Sequence, residues 1–565
     1  MPKRAVSEDL SESETVKKNK PDVYVSATDI RNYLHRDPIV DWLKLYWKGE
    51  GSRKTSIFHE YIMKAGVSFE EKVISQLKEI IPVMTVLGEG ITEERCEDTI
   101  SLMRAGIPAI HSGCFRSGRL GIQGIPDLLV RTDYLHLLGV TDFKPERTSP
   151  YYVVIDIKFS TLPLRANGRN ILNTGKYPAY KGQLWVYTQC LGEIQGITPN
   201  IAYLMGRRWK YISKGEVYSE RTGKLGEVDF SGVDGFYAER AQKAIDWVRK
   251  VRKEGHTWTV SPPTVPELYP NMCVDSPEWN EVKRKIALEI GEITLLWYCG
   301  TRHREIAHGN GIFTWRNPRC KSYNIGMGGS RAKVVDSILR TNRGNAPYMP
   351  KKIKNNLYTW KQPCNEAFVD FETFCDVSDN GWAGIFMIGV WYRGEYTNFT
   401  AKDDSPEGEL EIMQNFIDFL DRNGRPALWY WYADANIWTR AENRQMDRLC
   451  EEGRIEDCDN IVDHWRDLYW CDLCEIFRYE PVTVKGCFKF GLKEIAGALK
   501  THGLVETTLT SSCKSGLDAA ILAKQVYEKG RIIRKDRKVL TDIAEYNRYD
   551  VKILEEILKF LRTIS

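Results

Sequence analysis

The sequence lacks long apolar runs. No stretch approaches the roughly 18 consecutive apolar residues that a bilayer-spanning helix needs. It also has no secretory signal at its start. We therefore expect no membrane partner and an intracellular, reducing location, in the cytoplasm or the nucleus. The 14 cysteines, irregularly spaced, then fit reduced thiols.

Metal-ligand spacing is scarce among these cysteines. Cys471 and Cys474 form the one C-x-x-C pair, and Cys458 and Cys487 lie at poor intervals from it. A structural zinc site needs four ligands at regular spacing, so ordinary buried thiols are the favoured interpretation.

The sequence also has little excess charge. Its 80 basic and 76 acidic residues give a formal net charge of +4, so any nucleic-acid groove must be a local feature. A chain of 565 residues is too long for one core, and 42% apolar residues suffice for two or three folded domains.

The first 22 residues, rich in Ser, Glu and Lys, predict a disordered tail before a domain that starts at residue 23. A helix is predicted over about residues 59–80, with Phe69, Val73 and Leu77 as its core stripe. Glu70 flanks this stripe. It either leans into a site at the helix edge or is an ordinary solvated helix acid.

Two apolar, strand-like runs between residues 124 and 158 carry charged side chains. Asp127 accompanies the first run, and Asp156 and Lys158 lie two residues apart on the second, so they share one face of a strand. Buried charges are costly unless they are paired or bind a metal. Carboxylates that hold a divalent cation beside a lysine suit phosphodiester hydrolysis.

A helix is predicted after these strands, over about residues 181–192. Gln183 and Tyr187 lie one turn apart on one face of it. They either orient water or phosphate at a carboxylate site or are polar residues beside the core.

This order of residues resembles the PD-(D/E)XK nuclease superfamily, most closely its RecB-like branch. The matching positions are Glu70, Asp127, Asp156, Lys158, Gln183 and Tyr187. The resemblance implies a restriction-endonuclease-like α/β domain over residues 23–265. Many RecB-like relatives hold an iron–sulfur cluster with four cysteines, but the flanking cysteines are absent here, so we predict no cluster.

Two further features precede the last third of the chain. A helix near residues 240–253 is rich in Arg and Lys and either lines a nucleic-acid groove or is a solvated face. The proline-rich residues 261–270 indicate a domain boundary. Residues 266–365 are predicted to be a helical linker, with a loose helix-hairpin-helix-like pattern at 293–312.

The remaining sequence, residues 366–565, begins a new pattern. Asp370 and Glu372 lie on one face of a predicted strand that has a hairpin partner, and an amphipathic helix is predicted over 407–422. Asp434 follows a third strand, and Tyr546 and Asp550 lie on a helix predicted to start at residue 545.

This second pattern resembles DnaQ-like DEDD exonucleases, which have an RNase H-like fold. The resemblance implies that Asp370, Glu372 and Asp550 bind divalent ions and that Tyr546 orients the attacking water. Close carboxylates repel one another unless cations neutralise them. The second motif departs from the family, because Asn436 stands where an acid is common. Asp434 is the preferred substitute, and Asp472 is another candidate.

Together the two resemblances predict an α/β multidomain, Mg²⁺- or Mn²⁺-dependent nuclease for DNA repair, recombination or nucleic-acid processing. DNA is the favoured substrate and RNA is an alternative. A helicase or another repair protein is a conceivable partner that the sequence does not identify. The alternative function is a nucleic-acid-binding scaffold or partner subunit in which one or both domains are inactive.

Overall fold

The computed structural model describes residues 24–49, 57–221, 223–374, 383–513, 515–529 and 534–565. Within them the chain has a mixed α/β architecture, which confirms the predicted class. The tail predicted over residues 1–22 lies outside the described residues. Among the described helices, none combines the length and the apolar character that crossing a membrane requires.

The described residues form two compact units. The first contains the residues up to 35, residues 44–46 and residues 73–257, and the second contains residues 36–43, 47–72 and 258–565. The change at 257/258 lies close to the domain boundary expected at 265/266. The sequence did not indicate that short N-terminal pieces belong to the second unit.

The elements up to residue 257 comprise shorter helices, two sheets and three helices of 18 to 22 residues. In chain order they are β1 (Val25–Ser26), α1 (Arg31–Leu34), α2 (Ile39–Tyr46), α3 (Ile57–Lys78), β2 (Val83–Thr85), α4 (Glu93–Arg104), β3 (Ala109–His111), β4 (Phe115–Ser117), β5 (Ile122–Gly124), β6 (Leu128–Arg131), β7 (Tyr152–Pro163), α5 (Tyr177–Gln195), β8 (Ile201–Ser213), β9 (Glu216–Arg221), β10 (Leu225–Asp229) and α6 (Tyr237–Glu254).

A mixed sheet forms the centre of the first unit. Its strand order is β10-β8-β7-β6-β3-β2, and β9 pairs with β8 outside this path. β7 is antiparallel to β6 and parallel to β8, and α5 packs against it. Strands pair with both edges of β7, and α5 packs against it. The first residues of β7, Tyr152 to Asp156, are therefore all buried.

The elements after residue 257 are helix-rich at first and then alternate with strands. They are α7 (Asn280–Ile290), α8 (Thr301–Gly309), α9 (Gly329–Arg343), β11 (Tyr348–Met349), β12 (Glu366–Thr373), β13 (Ile385–Tyr392), β14 (Glu395–Thr400), α10 (Pro406–Arg422), β15 (Ala427–Tyr430), α11 (Asp434–Glu451), α12 (Ile455–His464), β16 (Trp470–Asp472), α13 (Leu473–Tyr479), β17 (Thr483–Val484), α14 (Leu492–Thr501), α15 (Gly516–Tyr527) and α16 (Arg534–Thr563).

A five-stranded sheet of order β14-β13-β12-β15-β16 organises the second unit. β12 is antiparallel to β13 and parallel to β15. Its side chains alternate between two cores: Ala367, Val369 and Phe371 belong to one, and Phe368 belongs to the other. Because alternate residues share a face, Asp370 and Glu372 are directed to the same side as Phe368.

The segment predicted as a linker, residues 266–365, packs into this second core. Buried residues such as Leu296, Val335 and Trp360 join one apolar cluster with Phe368 and with Leu558 of α16. In the region of the helix-hairpin-helix-like pattern, Ile293–Leu295 forms a single 3-10 turn and α8 follows at Thr301.

The predicted helices are largely confirmed, although some are longer than predicted. α10 spans Pro406–Arg422, against a prediction of 407–422, and α5 includes the predicted 181–192. α16 begins at Arg534, 11 residues before the predicted start at 545. Its residues before 545 contribute Ile543 to the core, and tertiary contact of this kind extends a helix beyond its sequence motif.

Candidate functional sites

Asp127, Asp156 and Lys158 come together in the first unit. Asp127 immediately precedes β6, and the other two residues lie on β7, which pairs with β6. Lys158 Nζ lies 2.5 Å from Asp156 Oδ2 and 3.5 Å from Asp127 Oδ2. Asp127 Oδ2 also accepts a hydrogen bond of 2.6 Å from the backbone N–H of Ile157. The strand pairing therefore produces the two-carboxylate and lysine group that the sequence predicted.

Burial disfavours the charged carboxylates of this group unless a further cation is bound. Asp156 is fully buried, and its Oδ1 accepts no hydrogen bond from the described residues. Burial and the nearby Asp127 raise the pKa of Asp156 to about 8, although Lys158 lowers it. Burial opposes the charged amine of Lys158, but the two aspartates raise its pKa above the ordinary value. Two carboxylates thus share one lysine.

The side chains predicted on α5 also lie at this group. Gln183 Nε2 donates a hydrogen bond of 2.7 Å to the Tyr187 hydroxyl, and both side chains are buried. Burial first, and then Asp156 and Asp127, raise the pKa of Tyr187. A Cβ at Gly124 would lie 2.3 Å from the Tyr187 ring, so glycine permits the close approach of β5 to α5.

Two residues beside this group were not identified from the sequence. The Lys158 amine lies 5.3 Å from the centre of the Tyr180 ring, and the Arg31 guanidinium lies 5.4 Å from the same ring. Tyr180 precedes Gln183 by three residues on α5, so helical spacing alone places it on a neighbouring position. No comparable signal marked Arg31.

The role of Glu70 at this group stays a prediction. This residue is half-buried on α3, within the portion of that helix that belongs to the second unit. The start of α3 contacts that unit: the backbone N–H of Phe58 donates to Asp518. The residues of the first resemblance that meet in the first unit include Asp127, Asp156, Lys158, Gln183 and Tyr187.

In the second unit, Asp370, Glu372 and Asp550 form a carboxylate cluster. Each offers an oxygen atom, and these oxygens lie within 4.8 Å of one another. The first two residues come from β12, and Asp550 comes from α16, which packs against β12. The acids at the start and at the end of the predicted pattern therefore lie close together in the folded chain.

The two candidates for the ambiguous middle motif, Asp434 and Asn436, differ in burial. Asp434 is buried and its Oδ1 accepts a hydrogen bond of 3.1 Å from the backbone N–H of Phe371, which lies between the two acids of β12. Asn436 is exposed in the first turn of α11. Asp472 instead accepts hydrogen bonds from the backbone N–H groups of Tyr432 and Cys474, which is the role of a helix cap at α13.

Asn547 is a residue of this site that the sequence argument missed. Its Nδ2 donates to Asp370 Oδ2 at 2.8 Å and to the Asp370 carbonyl at 3.1 Å. Its Oδ1 accepts from the Tyr396 hydroxyl at 3.0 Å. Its position three residues before Asp550 on one helix is the signal that would have found it.

Tyr546 and Lys493 complete the surroundings of the cluster. Lys493 Nζ donates a hydrogen bond to the Tyr546 hydroxyl and lies 3.8 Å from the centre of its ring. Burial raises the pKa of Asp550 to about 6, although the charge of Lys493 and a hydrogen bond from Tyr546 lower it. Lys493 lies on α14 and was not assigned a role from the sequence, because an isolated lysine on a helix carries no pattern.

The cluster has the donor set of a divalent-cation site. Burial, followed by repulsion from Asp550, raises the pKa of Glu372 to about 8. Burial, followed by Asp434, Asp550 and Glu372, raises the pKa of Asp370, and burial raises that of Asp434 to about 7. Asp550 Oδ1 is buried and accepts no hydrogen bond from the described residues. Converging carboxylate oxygens of this kind fit Mg²⁺ or Mn²⁺.

These pKa values predict how the chelated protein responds to pH. Glu372 and Asp434 have folded-state pKa values of about 8 and about 7, whereas unfolded carboxyls titrate near pH 4. The folded state then binds more protons than the unfolded state between these values, so stability falls as the pH rises from about 5 to about 8. We expect the melting temperature in EDTA to fall by several degrees over this range.

The matched variant is Glu372→Gln, which removes one of the titrating groups and relieves repulsion on its neighbours. Its melting temperature in EDTA should depend less on pH and exceed that of the wild type at pH 8. Identical slopes for the two proteins would contradict the electrostatic description of the cluster.

A second prediction concerns Gly389, which pairs in register with Asp370 on the neighbouring strand β13. A Cβ at Gly389 would lie only 1.5 Å from Asn547 Oδ1. Gly389→Ala should therefore displace Asn547 from Asp370 and destabilise the second unit by about 1–3 kcal/mol, as overpacking does. Chemical denaturation measures the change.

Gly497→Ala is the control for this substitution, because a Cβ at Gly497 in α14 meets no atom within 4 Å. Alanine is the better helix former, so we expect Gly497→Ala to stabilise by up to about 1 kcal/mol. Equal denaturation midpoints for the two variants would show that Asn547 does not occupy the space above Gly389.

The comparisons with known proteins add no family to this description. The chain matches no protein-family model, and no curated protein is significantly similar to it.

Proposed function

We propose that the protein is a divalent-metal-dependent nuclease with two sites, acting in DNA repair, recombination or nucleic-acid processing. The observation that carries the proposal is the pair of buried carboxylate groups, each on adjoining elements and each with a lysine beside it. Phosphodiester hydrolysis requires charge neutralisation at the phosphate and an activated water, and a divalent cation bound by carboxylates supplies both.

In the first unit, Asp127 and Asp156 would hold the cation, and Lys158 would interact with the phosphate and the attacking water. The Lys158 amine already contacts both carboxylates, so its charge lies where negative charge develops during attack. The buried, hydrogen-bonded side chains of Gln183 and Tyr187 place polar atoms beside this group. This arrangement supports a RecB-like PD-(D/E)XK domain.

In the second unit, Asp370, Glu372 and Asp550 would hold cations, with Asp434 beside them. Tyr546 has its hydroxyl held by Lys493, so it can orient a water that attacks the substrate phosphate. The five-stranded mixed sheet that carries two of the acids on its middle strand supports a DnaQ-like domain of RNase H-like fold. Trimming from a 3′ end is the proposed activity of this site.

The test is cleavage of end-labelled single- and double-stranded DNA and matched RNA in Mg²⁺, in Mn²⁺ and in EDTA. We expect products only with a divalent cation, with DNA as the better substrate. Binding without cleavage under every condition would favour a nucleic-acid-binding scaffold. Cleavage that persists in EDTA would refute the proposal.

A further inference from the structure

The strand β8 continues past the residues that pair with the first site and forms a hairpin with β9. Lys158 pairs in register with Gly206, and Trp209 lies three residues further, about 10 Å along the strand. Residues 207–224, here called the basic hairpin, contain six basic residues and two acidic residues. This stretch alone has the same net charge as the whole chain, so it is a local basic feature.

Three aromatic rings form a column on the basic hairpin. The rings of Tyr211 and Tyr218 stack with centroids 4.8 Å apart and planes 10° apart, and those of Trp209 and Tyr211 lie 5.8 Å and 19° apart. Tyr218 is 39% exposed. The amine of Lys224 lies 4.8 Å from the Trp209 ring and 5.3 Å from that of Tyr211. We call Trp209, Tyr211 and Tyr218 the aromatic column.

The basic hairpin adjoins the first site through contacts as well as through strand pairing. The Arg207 guanidinium packs 4.9 Å from the ring of Phe159, the residue that follows Lys158 on β7. The acidic residues of the hairpin lie beside the column: Glu216 accepts a hydrogen bond from the Tyr218 hydroxyl, and Glu220 pairs with Trp209. Cations nevertheless exceed acids along the hairpin.

The basic helix α6 was a candidate to line a nucleic-acid groove. Several of its cations are engaged in contacts within the first unit. Arg252 pairs with Asp29 at 2.8 Å, and Lys243 pairs with Glu239 at 2.6 Å. Arg249 donates to the carbonyl of Leu120 at 2.6 Å. The basic hairpin combines its cations with a partly exposed stack of three aromatic rings.

We propose that the basic hairpin binds single-stranded nucleic acid and leads it to the Lys158 site. Bases would stack on the aromatic column, and Lys224 and Arg207 would attract the phosphates. This assignment rests on the nuclease function proposed for the first site. The occupant is single-stranded because stacking on protein rings requires unstacked bases, whereas a duplex presents only base edges and phosphates.

The test measures binding without catalysis, by the fluorescence anisotropy of labelled oligothymidylate, an RNA counterpart and a duplex in EDTA. Tyr218→Ala should weaken single-strand binding by roughly fivefold to hundredfold, the effect of losing one stacked base. Tyr218→Phe keeps the ring and should bind like the wild type. Tyr323→Ala, at a tyrosine that is 69% exposed in the second unit, is the matched control and should have no effect.

The charge contribution is tested with Lys224→Gln, which should lower the slope of log affinity against log salt by about one. Equal affinities for Tyr218→Ala and Tyr323→Ala would overturn the proposal. It would also be overturned if a duplex bound as tightly as a single strand and lost as much affinity in Tyr218→Ala. A preference for DNA or for RNA, with the Tyr218 effect retained, supports it.

Cleavage of the same oligonucleotides in Mg²⁺, beside the binding measurement, separates failure of this proposal from failure of the proposed function. If the wild type cuts through Lys158 while Tyr218→Ala binds and cuts like the wild type, only the role of the hairpin is wrong. If oligonucleotides bind through the aromatic column while Lys158→Ala cuts like the wild type, the nuclease assignment of the first site is wrong.

Discussion

Lys158→Ala should reduce metal-dependent internal cutting by at least about 100-fold, the size expected when a charged group at the phosphate is removed. Lys158 is the residue that joins the two carboxylates of the first site, at 2.5 Å and 3.5 Å. Single-stranded circular DNA is the appropriate substrate, because it has no ends and reports internal cutting alone.

We expect this variant to remain folded. The pKa of Asp156 is already raised to about 8 by burial and by Asp127, so this carboxyl can take up a proton when its lysine partner is lost. A drop of many degrees in the melting temperature would instead assign Lys158 a structural role.

Lys176→Ala is the matched control, because the Lys176 amine also lies over the Tyr180 ring, at 5.8 Å. Its cutting should equal that of the wild type. If both lysine variants lose cutting to the same extent, the effect comes from the surroundings of Tyr180 and not from the Asp127–Asp156–Lys158 group.

Asp370→Asn should lower the rate of 3′ trimming by roughly 1000-fold, the upper size for loss of one group that stabilises the transition state. Asp370 offers one of the three convergent carboxylate oxygens in the cluster. A linear single strand labelled at its 5′ end reports this trimming as a ladder of shortened products. Internal cutting of the circular substrate should be unchanged, because the first site lies in the other unit.

The stability of Asp370→Asn should change in the opposite direction to its activity. Burial, followed by repulsion from Asp434, Asp550 and Glu372, raises the pKa of Asp370. An uncharged asparagine removes this repulsion, so the chelated variant should melt at a higher temperature than the wild type. Mn²⁺ should then stabilise the wild type more than the variant. A lower melting temperature with lost trimming would point to misfolding.

Asp472→Asn is the control for this substitution. Asp472 is a buried acid of the same sheet, but it caps α13, and asparagine caps a helix about as well. Trimming should persist in this variant. Loss of trimming in Asp472→Asn with full activity in Asp370→Asn would exchange the roles assigned to the two residues.

Local patterns in the sequence determined most of the secondary structure near the sites and most of the site residues. The alternation around Asp156 and Lys158, and around Asp370 and Glu372, predicted strands with charged faces, which β7 and β12 confirm. Such predictions succeed because a strand or helix reveals its buried face through spacing over a few residues. The same reasoning identified the Gln183 and Tyr187 pair on α5.

The tertiary structure decided which distant groups meet. Asn547 reaches Asp370 across 177 positions of sequence, and Lys493 reaches Tyr546 across 53. Helical spacing from Asp550 marks Asn547 but not its partner, and Lys493 has no local signal, because the path of the chain and the space left by Gly389 bring the groups together. Likewise, the burial of Asp434 and the exposure of Asn436 follow from packing.

Packing also decided the organisation of the chain around these sites. Residues 266–365 were predicted to be a helical linker, but their apolar side chains share a core with β12 and α16. The part of α3 that carries Glu70 groups with the second unit, which its local sequence did not indicate. Composition and spacing describe a segment by itself, whereas burial depends on which surfaces of the folded chain are left for that segment to cover.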